Sequence, residues 1–83
     1  MFKRIKIEDV RIGDYLYHWF YTGSFGPSQI YSRVLRVGAK KIKVLCESGQ
    51  TAWKYPFFFD GRADSETVPD QSRQRIEAGS LHG

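Results

Sequence analysis

Six basic residues crowd the middle of the chain: Arg33, Arg36, Lys40, Lys41, Lys43 and Lys54. Five aromatic residues stand before and among them: Tyr15, Tyr17, Trp19, Tyr31 and Tyr55. Ammonium and guanidinium groups on neighbouring strands meet the phosphates of a polyanion, and flat rings stack on unpaired bases. The two sets together therefore have the composition of a nucleic-acid-binding surface. The rings would equally well enclose a cation or a proline-rich segment. Both sets also have a plainer reading. Lys and Arg fill exposed strand positions for solubility, and aromatic pairs stabilise a sheet or fill a homodimer contact.

Other chemistry finds little material. Cys46 continues the alternation of Ile42 and Val44, which is the pattern of a buried structural thiol rather than a nucleophile. His18 and His82 have no second ligand at metal spacing, so no zinc site is expected. Asp9, Asp14, Glu47 and Asp60 fall in turns or at strand ends, not as paired carboxylates, and the glycines are dispersed, without a phosphate-cradling loop. We expect no enzyme, no cofactor and no metal.

The elements that must position these residues centre on Ser32–Pro56, SRVLRVGAKKIKVLCESGQTAWKYP. It reads as an antiparallel meander. Val34, Leu35 and Val37 give one apolar run, Gly38-Ala39-Lys40 a turn, Ile42, Val44 and Cys46 a strand of period two, Glu47–Gln50 a second turn, and Trp53 with Tyr55 a third strand. The spacing of Val34 and Val37 breaks strict alternation and predicts a bulge near Leu35-Arg36. Trp53 is expected inward, and Lys54 outward beside Lys43.

Upstream, Met1–Ile7 suits a short edge strand guarded by lysines, and Glu8-Asp9-Val10 a single turn. Tyr15–Tyr21, YLYHWFY, is a strand by β-propensity. With Leu16 inward, Tyr15, Tyr17 and Trp19 lie on the outer or rim side. Thr22–Gln29 is a recognition-length loop around Phe25. After Tyr55, Pro56 predicts a turn or one 3₁₀ turn, then a short closing strand ending about Asp60. From Gly61 to Gly83 apolar side chains nearly vanish apart from Val68, Ile76 and Leu81, which predicts a flexible polar tail with at most a transient helix over 71–78.

Eighty-three residues allow one domain with a small core, expected over 1–60 with the tail at 61–83. A core of that size cannot hide all thirteen aromatic side chains, so several must lie at the surface or in an interface. The net charge of +4 resides in residues 1–60, with ten Lys/Arg against five Asp/Glu; residues 61–83 hold three against four. That balance favours polyanionic partners and is also ordinary for a soluble protein. A single cysteine and the lack of a signal-peptide pattern predict a cytoplasmic chain. No run approaches the roughly 20 apolar residues of a membrane span.

Ile12-Gly13-Asp14-Tyr15-Leu16, Val34-Leu35-Arg36-Val37, Ile42-Lys43-Val44, Ser48-Gly49 and Trp53 together resemble the small SH3-like barrels of the KOW and Tudor-like kind. The likeness covers residues 5–60. It departs from the KOW pattern where Ser28-Gln29-Ile30 stands in place of a glycine-rich start to the second strand. The resemblance implies an all-β, five-stranded barrel without catalysis, binding nucleic acid or protein segments through loops and an aromatic rim. An OB-type barrel is the alternative, although no helix stands between its third and fourth strands. The expected function is a non-catalytic, nucleic-acid-binding module with Arg33, Arg36, Lys40, Lys41, Lys43 and Lys54 on phosphates and Tyr15, Tyr17, Trp19, Tyr31 and Tyr55 stacking. The competing expectation is a protein-interaction module, such as a small regulator or inhibitor of a larger enzyme of the kind phages and plasmids encode. A homodimer that buries the surplus rings is compatible with either.

Overall fold

A computed structural model describes residues 5–21 and 23–82, with Phe25, Ser80, Leu81 and His82 described by their backbone alone. Five strands form one antiparallel sheet: β1 (Tyr15–Tyr21), β2 (Pro27–Val37), β3 (Ile42–Cys46), β4 (Thr51–Lys54) and β5 (Gly61–Ala63). A helix, α1 (Asp70–His82), ends the described chain. The sheet order is β4-β3-β2-β1-β5, so β4 and β5 are edges and the sheet is not a closed barrel. The five antiparallel strands are as expected; the described strands form an open sheet rather than a closed barrel, and a helix is added to the expected all-β fold.

Local rules account for most of the strands. Alternation of Ile42 and Val44 against Lys43 sets β3, and its tight turn into β4 needs Gly49, whose φ of +88° is readily adopted only without a Cβ. That turn is closed by Gly49 N–H donating to the Cys46 carbonyl at 2.9 Å, and Cys46 N–H to the Gln50 carbonyl at 2.9 Å. Between β2 and β3 the register shifts from Val34 to Arg36, which places the bulge where the broken alternation predicts one. Pro56 opens a 3₁₀ turn, Pro56–Phe58, as its fixed φ allows.

Four expectations fail. Residues 1–4 lie outside the described residues, and Ile5–Asp9 is not a strand but leads into a 3₁₀ turn at Ile7–Asp9. β2 begins at Pro27, so the loop after β1 is shorter than Thr22–Gln29. The last strand falls at Gly61–Ala63, beyond Asp60, and pairs with Tyr15–Tyr17 of β1. The tail folds into α1, with Val68 and Ile76 both buried.

That helix explains the largest difference. One face of the sheet is covered by Val10, Phe59 and the N-terminal Ile5 and Ile7, which pack with Leu16, Val34, Ile42 and Val44. On the other face Val68 and Ile76 pack with Tyr15, Tyr31 and Leu45. Consecutive residues are therefore buried on opposite faces, Tyr15 with Leu16 and Val44 with Leu45. Glu47 ties helix to sheet: its carboxylate accepts from Tyr31 N–H at 2.7 Å and lies 3.6 Å from Arg75.

Candidate nucleic-acid interface

Register decides which basic and aromatic side chains meet. In an antiparallel pair, directly opposed residues share a face. β3 and β4 pair Lys43 with Trp53 and Leu45 with Thr51, so Trp53 lies on the helix side of the sheet, not inward as expected. Lys54 pairs with Ile42 and so sits on the opposite face from Lys43, not beside it. A one-residue slip in the assumed register accounts for both errors, since side chains alternate with period two.

Among the described residues, nothing of α1 covers the far end of that face. Gly79, near the helix end, lies over Leu45 and Gly49; an added Cβ would stand 3.2 Å from a Leu45 methyl and 3.3 Å from Gly49 Cα. Trp53, two residues further along β4 from Thr51, stays 50% exposed. Around it the structure gathers an uncovered strip. Arg36 pairs with Lys43, and Lys43 pairs with Trp53. The Lys41 ammonium lies 4.9 Å from the centre of the Tyr55 ring, and Tyr55 stacks on Phe57 with centroids 5.1 Å apart and planes 13° from parallel. Tyr55 and Phe57 are both exposed. Lys40 is exposed in the adjoining turn.

The strip thus unites Arg36, Lys40, Lys41, Lys43 and Tyr55 of the expected set, and adds Trp53 and Phe57, which sequence reasoning had assigned to the core and to a turn. Their signal was available in the alternation Trp53, Tyr55, Phe57, three rings two residues apart. The other expected residues lie elsewhere. Tyr15 and Tyr31 are buried beneath the helix, and the Arg33 guanidinium lies 5.8 Å from the Tyr15 ring centre. Tyr17 is half-buried against Trp19 and Tyr31. Trp19 is exposed at the distal end of β1, where its backbone N–H donates to the Asp60 carboxylate at 2.8 Å.

Lys54 belongs to a second feature, a cavity of about 250 Å³ on the opposite face. Its walls include His18, Gln50, Thr51, Lys54, Phe58 and Phe59. The Lys54 ammonium rests 4.8 Å from the Phe58 ring centre. His18 packs against Phe58, and its Nδ1 is buried with no hydrogen-bond partner among the described residues. Burial lowers the His18 pKa below its ordinary value, with Lys54 acting in the same direction and Asp60 and Glu47 opposing. Burial raises the Tyr31 hydroxyl above its ordinary value, and Glu47 and Tyr17 push it the same way.

Among the described residues no group of three or more His, Cys, Asp or Glu is placed to hold a metal ion, and no helix is long and apolar enough to cross a membrane. No protein-family model, curated protein or solved structure matches the chain.

Proposed function

We propose that this chain is a small non-catalytic binding module that takes single-stranded nucleic acid along the strip formed by Arg36, Lys40, Lys41, Lys43, Trp53, Tyr55 and Phe57. The observation that carries this reading is the exposed Tyr55–Phe57 stack with the Lys41 ammonium over the Tyr55 ring. Exposed parallel rings offer π-faces to bases of any sequence, and flanking cations meet the backbone that joins those bases. Five antiparallel strands, the number that the SH3-like resemblance of the sequence implies, support that resemblance for the open sheet.

A second reading, a protein-interaction module, is favoured by a different observation. β5 pairs with β1 only along Tyr15–Tyr17, and beyond it Trp19, Phe20 and Tyr21 are all exposed. A partner's extended segment would continue the sheet there.

Titration of a Trp19→Phe variant with single-stranded oligonucleotides separates the two, because Trp53 is then the sole tryptophan. Nucleic-acid binding at the strip quenches it. Four strip cations neutralising four phosphates give a slope of log K against log salt of roughly −3. Tyr55→Ala removes one stacked base, about 1–3 kcal/mol, or roughly 5- to 150-fold in affinity. Trp53 emission that stays constant with every oligonucleotide at low salt would sink the nucleic-acid reading.

A further inference from the structure

The cavity beneath Lys54 stands apart from the strip yet shares its scaffold. Along residues 53–59, Trp53, Tyr55 and Phe57 serve the strip, while Lys54, Phe58 and Phe59 line the cavity. At about 250 Å³ it falls just short of the roughly 300–1,000 Å³ of sites for drug-sized ligands, so it holds one ring system and not an extended cofactor.

Its chemistry is specific. Phe58, Phe59 and His18 supply aromatic walls, with His18 and Phe58 centroids 5.0 Å apart. The Gln50 amide and the His18 imidazole each offer both donor and acceptor character. Among the described residues that line it, Lys54 is the one cation and none is a carboxylate. A planar ring whose edge mixes donors and acceptors, attached to an anionic group, matches each of these features.

We infer that the cavity is a nucleotide subsite, holding one unpaired nucleobase against Phe58 and His18 with its phosphate at Lys54. This rests on the reading of the chain as a nucleic-acid binder and locates a second point of contact on it. Flat aromatic walls hold an extruded base by stacking, and polar groups read its edge. The same chemistry arises from a free mononucleotide or from one residue of a strand.

The test is a set of NMR titrations of the full chain with adenosine and uridine 5′-monophosphates, with inorganic phosphate, and with a short oligonucleotide. The signals followed are His18 Cε1–H, the Ala52 methyl and the Phe58 ring; Ala52 lines the cavity. The nucleotides should shift all three, and phosphate alone should leave the ring signals in place. Ala52→Phe fills the cavity and should weaken mononucleotide binding at least tenfold. Lys54→Met, which keeps the side-chain stem on Phe58, should weaken it severalfold and serves if Ala52→Phe fails to fold. An oligonucleotide that shifts the cavity signals in competition with mononucleotide identifies the strand as a source; one that leaves them unmoved assigns the subsite to free nucleotide. Mononucleotides that leave the cavity signals unmoved, or that bind Ala52→Phe and Lys54→Met as they bind the natural chain, overturn the inference. If an oligonucleotide still quenches Trp53 in that case, the strip reading survives alone; if it does not, both fall.

Discussion

Replacing Ile76 by alanine should release α1 from the sheet while leaving the sheet folded. Ile76 has no accessible surface and packs with Val68 against Tyr15, Tyr31 and Leu45. Truncating a buried isoleucine to alanine costs about 2–5 kcal/mol. Against that stands what holds the helix. It spans thirteen residues, a length at which isolated helices are marginal in water. Among its described side chains only Ser72 is also buried, so one aliphatic side chain, worth about 1.5–3 kcal/mol on full burial, supplies most of its docking. The loss therefore matches or exceeds the gain. Amide hydrogen exchange on Ile76→Ala should show residues 71–79 losing protection by more than tenfold, which is about 1.4 kcal/mol. Amides of Leu16, Val34 and Val44, on the opposite face, should exchange much as before. If sheet and helix instead unfold as one unit, a loss of about 3 kcal/mol lowers Tm by roughly 12–24 °C. Helix protection that falls less than tenfold, with Tm unchanged, would show that Ile76 does not anchor α1.

Two further expectations concern the sheet. At Gly61 an added Cβ would stand 2.5 Å from Tyr17 Oη and 2.6 Å from Cζ, so Gly61→Ala forces the Tyr17 ring off its packing against Trp19 and Tyr31. Urea unfolding should register a loss of about 1–3 kcal/mol, and the same change in a Tyr17→Ala background should be nearly neutral; equal losses in both backgrounds would refute the contact. His18 has a lowered folded-state pKa because of burial, opposed by Asp60, helped less by Lys54 and opposed least by Glu47. The unfolded chain then binds more protons, so stability rises with pH between the depressed folded value and the ordinary 6.5, and is lost as pH falls through that window. Melts from pH 7 to pH 5 should show this slope, and His18→Phe should flatten it.

What the sequence carried plainly was local. β-Propensity placed β1, period-two alternation placed β3, a single break in alternation placed the bulge after Val34, and proline placed the turn at Pro56–Phe58. What it hid was non-local. Ile76 is isolated in a polar segment and gains its role only from an apolar face made by Tyr15, Tyr31 and Leu45, up to some sixty residues earlier. Once α1 covers that face, β1 has two buried sides, and alternation cannot choose an outer one for Tyr15. Four lysines and arginines of the strip were legible as exposed strand and turn positions. Trp53 was not, because hydrophobicity alone directs a tryptophan inward, whereas pairing with Lys43 turns it to the uncovered end of the helix face.

Topology also bears on what kind of partner the strip suits. Because β5 pairs with β1, β4 is left as an edge. Proteins guard such edges with short strands, lysines and prolines, and β4 has all three: four residues, Lys54 at its end and Pro56 just beyond. Strand addition by a second copy or a peptide is therefore opposed at β4 itself. The rings beside that edge nonetheless remain in the open, with Trp53 50% and Phe57 59% exposed. Rings that an edge strand exposes while its backbone is guarded serve a ligand that binds by faces and charges rather than by backbone ladders. Single-stranded nucleic acid has that character, and an extended peptide does not. Strand addition keeps its opening at the other side of the sheet, along Phe20–Tyr21 beyond the Asp60 carboxylate that takes the Trp19 backbone N–H, so the two readings make separable demands: alanine at Tyr55 or Phe57 should impair the first alone, and alanine at Phe20 or Tyr21 the second alone.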